Sequence, residues 1–127
     1  MDSESKHILC IEDEPDMIDL IRLILLRRGF TFDGASGGEE GLRKVRETHP
    51  DLVLLDLMMP DLDGWEVYQQ MKADEKTRNI PVIIVTAKAQ SIDKVLGLQI
   101  AKVDDYIAKP FSPNELVESI QRVLSKK

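Results

Sequence analysis

Three apolar runs, Ile8-Leu9-Cys10-Ile11, Leu52-Val53-Leu54-Leu55 and Val82-Ile83-Ile84-Val85, restrict this chain to few folds. Each is too short for a buried helix. None alternates as a strand with one wet face would, so each reads as a strand covered on both sides. Helical patterns lie between them, and alternating strands and helices build an α/β fold on a parallel sheet. Every run stops abruptly on polar residues: Glu12-Asp13, Asp56 and Thr86.

Strands are expected near 7–11, 30–34, 51–55, 81–86 and 105–108, and helices near 15–28, 38–48, 64–74, 92–101 and 113–124. In the first helix Met17, Leu20, Ile21, Ile24 and Leu25 fall at helical spacing on one apolar face, and Leu116, Val117, Ile120, Val123 and Leu124 repeat the device in the last. Ser36 with Glu39 and Ser112 with Glu115 read as capping boxes, and Asp63 with Glu66 offers a similar arrangement. Pro113 sits at a first helical position, and Gly29 fits the left-handed position past the first helix.

The second strand alternates Phe30 and Phe32 with Thr31 and Asp33, and the fifth is short and begins with Asp104-Asp105. Both look like edges. A five-stranded parallel sheet in the order 2-1-3-4-5 follows, the flavodoxin-like (βα)5 arrangement. Right-handed crossovers then bring the ends of strands one and three together at the switch point where such sheets bind ligands.

At 127 residues the expectation is one domain, with a core over about 6–124 and fraying ends. The 17 basic residues are outnumbered by 23 acidic ones, and no basic stripe runs along a helix, so direct nucleic-acid binding is not expected. No apolar stretch approaches the roughly 18 residues of a membrane span. The polar, acidic start Met1-Asp2-Ser3-Glu4-Ser5 lacks the pattern of a secretory signal, so a cytoplasmic location is expected. Cys10 has no partner for a disulfide and reads as a core residue, while His7 and His49 lack partners at ligand spacing.

Parallel strands would gather Glu12, Asp13, Asp56, Thr86 and Lys109 in one crevice. Repulsion among three carboxylates raises at least one pKa unless a cation intervenes. Mg²⁺ prefers oxygen ligands and takes one or two carboxylates plus phosphate oxygens. The three acids, Mg²⁺ and Lys109 sum to neutrality, and a backbone carbonyl in the apolar loop Met58-Met59-Pro60 could serve the metal. Asp56 is the candidate nucleophile toward an activated phosphoryl group, with Lys109 stabilising its equatorial oxygens. Thr86 could hydrogen-bond that group, burial of Tyr106 could depend on Thr86, and Lys109-Pro110 is a plausible cis bond.

These residues resemble the receiver domain of bacterial two-component response regulators. The resemblance is carried by Ile11-Glu12-Asp13-Glu14, by Leu54-Leu55-Asp56-Leu57-Met58-Met59-Pro60-Asp61-Leu62-Asp63-Gly64, by Val85-Thr86-Ala87 and by Asp104 through Phe111. It implies a phosphorylation-controlled signalling domain rather than an enzyme, with Mg-dependent self-phosphorylation and dephosphorylation chemistry. Asp56 would accept phosphate from a sensor histidine kinase, a histidine phosphotransfer protein or a small phosphodonor. Glu12, Asp13, Asp56 and the Met58 carbonyl would arrange Mg²⁺, with Glu12 acting through water. Thr86 and Tyr106 would form the switch pair, and Lys109 would meet the phosphoryl oxygens. Met58 and Lys88 match positions that tune acyl-phosphate lifetime. A downstream output protein or domain would be engaged through the face of the fourth helix, fifth strand and fifth helix.

Two departures stand out: Lys102-Val103 replaces the usual Gly-Ala, and Ser119 replaces an Arg common in receivers that dimerise in the winged-helix transcription-factor subfamily. A haloacid-dehalogenase-type phosphatase would need a second Asp where Met58 stands. A flavodoxin would need a phosphate-cradling loop where Glu12-Asp13-Glu14 stands. A receiver-like scaffold working without phosphorylation would lack one of the acids or the lysine.

Overall fold

A computed structural model describes residues 5–87 and 103–126. Strands β1 (His7–Ile11), β2 (Thr31–Ala35), β3 (Leu52–Leu55), β4 (Val82–Thr86) and β5 (Asp105–Ala108) form one parallel sheet in the order β2-β1-β3-β4-β5. Helices α1 (Pro15–Leu26), α2 (Gly38–Thr48) and α3 (Gly64–Ala73) and a C-terminal helix, Pro113–Ser125, cover it. The expected helix at 92–101, together with Lys88 and Lys102, lies outside the described residues.

Period-two alternation within the apolar runs divides the core. Leu9, Ile11, Val53, Leu55, Val82 and Ile84 pack with Leu42, Val45, Val67 and Met71 from α2 and α3. Their sequence neighbours Ile8, Cys10, Leu52, Leu54, Ile83 and Val85 pack with Ile21 and Leu25 of α1 and with Leu116, Val117 and Ile120. Both faces are thus dry, which is why these strands tolerate no polar residue before their ends. Burial pushes the Cys10 thiol well above its ordinary range, so it stays a neutral core group.

Several local expectations shift. The second strand runs over Thr31–Ala35, one residue later than the apolar pattern indicates. The turn ahead of it holds Gly29 at φ 89° and ties the Phe30 N–H to the Leu25 carbonyl. In α1 the buried face is Ile18, Ile21 and Leu25, with Met17 and Ile24 at its margins. Leu20 is 46% exposed, since it lies about 100° round the helix from Ile21.

The Ser112–Glu115 capping box forms with both reciprocal bonds, at 3.1 and 2.8 Å. Asp63 caps α3 by accepting from the Trp65 N–H, while Glu66 accepts from Gln70 instead of closing a box. The Ser36–Glu39 box does not form. Gly37 is the N-cap of α2, with φ at 123°, and this places Ser36 one residue too early to cap. The Ser36 N–H donates to Glu40, and the first turn of α2 is capped from elsewhere in the chain, by Asp61.

Candidate metal and phosphoacceptor site

Strand register assembles the site. Ile11 pairs with Leu55, so Glu12 and Asp56 leave the sheet side by side, joined where the Asp56 N–H donates to the Ile11 carbonyl at 3.0 Å. On the other flank Thr86 pairs with Ala108, and the Lys109 N–H donates to the Thr86 carbonyl at 2.9 Å. Four strand ends therefore deliver the polar side chains to one edge of the sheet. Glu12, Asp13 and Asp56 each place a carboxylate oxygen within 4.8 Å of the others, Asp13 being the least buried of the three.

Lys109 closes the crevice from β5. Its ammonium lies 2.9 Å from Glu12 Oε1, 3.7 Å from Asp56 Oδ2 and 3.9 Å from Glu14 Oε1. Glu12 is 1% exposed and Asp56 4%, so water screens this group little. Burial pushes the Glu12 carboxyl up to about 7, the Lys109 hydrogen bond opposes that, and the nearby Asp56 charge reinforces it. For Lys109, burial acts to lower the ammonium, but the bond to Glu12 and the charge of Asp56 outweigh it and hold it above its ordinary value. One lysine against three carboxylates leaves the crevice short of positive charge. An oxygen-ligated divalent cation fits this donor set in charge and in ligand type.

Thr86 is fully buried at the end of β4. Ile84 pairs with Tyr106 as Thr86 pairs with Ala108, so Thr86 and Tyr106 lie diagonally on one face of the sheet. Tyr106 is half-buried against the cluster containing Ile84. Met58 is 53% exposed, whereas Met59 turns into the core, and the Met58 N–H donates to Asp56 Oδ1 at 3.2 Å. The Lys109-Pro110 bond is cis.

Away from the site, the His7 Nδ1 lies 2.7 Å from the Thr31 hydroxyl, an edge-strand hydrogen bond. His49 takes the left-handed position that ends α2. Ser119 is buried and donates to Asp105 at 2.6 Å, and Arg122 pairs with the same carboxylate. Burial alone would raise the Asp105 carboxyl, but these two hydrogen bonds hold it below its usual range. Two contributors lie inside the quoted motifs but were given no role from the sequence: Glu14, which reaches Lys109 from the solvent side, and Asp61.

The profile of the response regulator receiver domain matches residues 8–121. The DNA-binding response regulator MtrA of Mycolicibacterium smegmatis is 38% identical over 126 residues, covering 99% of this chain and 54% of that protein. The chain spans about half the length of the curated relatives it matches. Among solved structures, the receiver domain of a Pseudomonas aeruginosa sensor histidine kinase, with magnesium coordinated in its active-site cleft, superposes with a TM-score of 0.87 at 32% identity, covering 96% of this chain and 99% of that one. Response regulator TrrA of Thermotoga maritima, in complex with Mg²⁺ and BeF, gives 0.82 at 32% identity, covering 93% and 98%.

Proposed function

Because this chain belongs to the response regulator receiver family, we propose that Asp56 is its phosphoacceptor and that phosphorylation switches a partner-binding surface. One observation carries the reading: three carboxylates meet within 4.8 Å at the end of the sheet, with the Lys109 ammonium 3.7 Å from Asp56. The donor is a histidine kinase, a histidine phosphotransfer protein or a small acyl phosphate. An Asp56 oxygen forms the new O–P bond as the P–N bond to the donor imidazole, or the P–O bond to a carboxylate, breaks. The leaving group takes the electron pair, and imidazole then takes a proton from solvent.

Glu12, Asp13, Asp56 and the Met58 carbonyl are the residues to hold Mg²⁺. When bound, it supplies positive charge against which phosphoryl oxygens can approach three acids. Lys109, already held charged by its acidic neighbours, donates to a phosphoryl oxygen and so offsets charge on the transferring group. The Thr86 hydroxyl turns to the same group, and Tyr106, diagonal to it on the sheet face, fills the space behind. The changed surface is that of β5 and the C-terminal helix, and the partner it meets is an output protein or domain. DNA binding belongs to MtrA by name; for this chain we propose a protein partner and no direct nucleic-acid contact. Among the described residues no helix is long and apolar enough to cross a membrane; the setting we propose is the cytoplasm. Residues 6–124 act as the single receiver unit, a signalling module whose only chemistry is gaining and losing its own phosphoryl group.

Magnesium affinity is expected to depend on pH through Glu12. Its carboxyl is raised to about 7 without metal, so below that pH a proton must leave before the cation is held. Affinity should therefore be about tenfold weaker at pH 6 than at pH 8. The same shift means that metal-free folding is favoured by the Glu12 proton at low pH, and that this contribution is lost as pH rises toward 7. Calorimetric titration at both pH values tests it, with Glu12→Gln expected to flatten the profile. Equal native affinity at both would show Glu12 already ionised at pH 6.

A further inference from the structure

The connection between β3 and α3, residues 57–63, carries Met58 at the site and is fastened at two points. At its α3 end the Gly64 N–H donates to the Leu57 carbonyl at 3.2 Å. A Cβ on Gly64 would stand 2.4 Å from the Asp56 carbonyl oxygen, so the connection is packed against the backbone of the phosphoacceptor itself. Its middle is fastened to a different helix, α2. Asp61 accepts from the Gly38 N–H through Oδ1 at 3.1 Å and from the Glu39 N–H through Oδ2 at 3.3 Å, across 23 and 22 residues of sequence.

The α2 side is shaped for this contact. Gly37 takes φ 123°, and a Cβ there would lie 3.0 Å from Asp61 Oδ2. A Cβ on Gly38 would lie 2.7 Å from the Leu62 Cβ. The helix start and the connection are therefore flush, and neither can slide without breaking a charge-assisted bond to an otherwise orphaned helical N–H.

We propose that Asp61 is a positioning residue for the metal site: by pinning the 57–63 connection to α2 it holds the Met58 backbone beside Asp56. It thereby sets magnesium affinity and acyl-phosphate lifetime while touching neither group. The proposal rests on Asp56 being the Mg-dependent phosphoacceptor. It adds a control on that site exerted from α2, through a residue with no chemistry of its own.

Asp61→Ala and Asp61→Asn separate this from simple loss of a helix cap, with Ser112→Ala as the comparison. Ser112→Ala removes a neutral side-chain cap bond from the C-terminal helix, and Ser112 has no part in the site. Each variant is followed by thermal unfolding, magnesium titration and decay of the acetyl phosphate-labelled protein measured by intact mass. Asp61→Ala is expected to weaken magnesium about tenfold, at the lower end for loss of a group that orients metal ligands. Its label half-life should change as well. Asp61→Asn, which keeps one acceptor oxygen, should fall between Asp61→Ala and the native chain, and Ser112→Ala should lower the melting temperature with native affinity and half-life. Native affinity and half-life in both Asp61 variants would overturn the proposal, as would an equal weakening in Ser112→Ala. A native chain that takes no label at all would instead overturn the phosphoacceptor assignment, and the proposal with it.

Discussion

Incubated with Mg²⁺ and acetyl phosphate, the native chain is expected to gain the mass of one phosphoryl group, and Asp56→Asn to gain none. Asn retains the size of the side chain and the carbonyl oxygen that can accept from the Met58 N–H at the Oδ1 position. It lacks the anionic oxygen that attacks phosphorus, because an amide is not a competent nucleophile here. The substitution also removes the Asp56 charge that helps to raise Glu12, so the variant should fold at least as well as the native chain. Lost labelling would then reflect lost chemistry, which unfolding curves of the two proteins can verify. Equal labelling of both would place the phosphoryl group on another residue.

Lys109→Ala should be nearly as damaging for a different reason. Lys109 is the cation that the described residues bring to Glu12 and Asp56, at 2.9 and 3.7 Å. Removing one preorganised donor to a charge-developing group typically slows a reaction by about 100-fold or more, and a labelling rate reduced by about that factor is expected. Magnesium should bind at least as tightly as to the native protein, since a like charge beside the cation is gone. That split, with transfer lost and metal retained, assigns the lysine to the transferring group. Stability should respond to pH as well: at pH 6 the buried Glu12 can take a proton, whereas at pH 8 its buried carboxylate is left without its lysine. Denaturant unfolding should therefore show the larger loss at pH 8. A native labelling rate in Lys109→Ala would remove it from the mechanism.

What could be read in advance divides along physical lines. The sheet was legible because β1, β3 and β4 are apolar on consecutive residues, a pattern only a strand covered on both faces requires. Thr31 and Asp33 likewise mark β2 as an edge. The acids were legible for a related reason: in parallel strands of matched register, residues just past paired positions must emerge together, as Glu12 and Asp56 do beyond Ile11 and Leu55.

The face of α1 was less legible. Met17, Ile18, Leu20, Ile21, Leu23, Ile24, Leu25 and Leu26 offer more apolar residues than one stripe can hold, and Leu20, Leu23 and Leu26 remain about half exposed. Periodicity cannot choose between overlapping stripes. The cap of α2 was not legible at all, because Asp61 comes from another element and no spacing rule links it to Gly38. Local signals read caps that are local, as at Ser112; they miss those supplied through the tertiary fold.

The most direct test of the central claim is a crystal structure of this chain with Mg²⁺ and beryllofluoride. The account predicts a single cation touching the carboxylates of Asp13 and Asp56, and a fluoroberyllate on the Asp56 oxygen with Lys109 against it. A cation seated elsewhere, or an Asp56 left bare while another side chain carries the adduct, would contradict it.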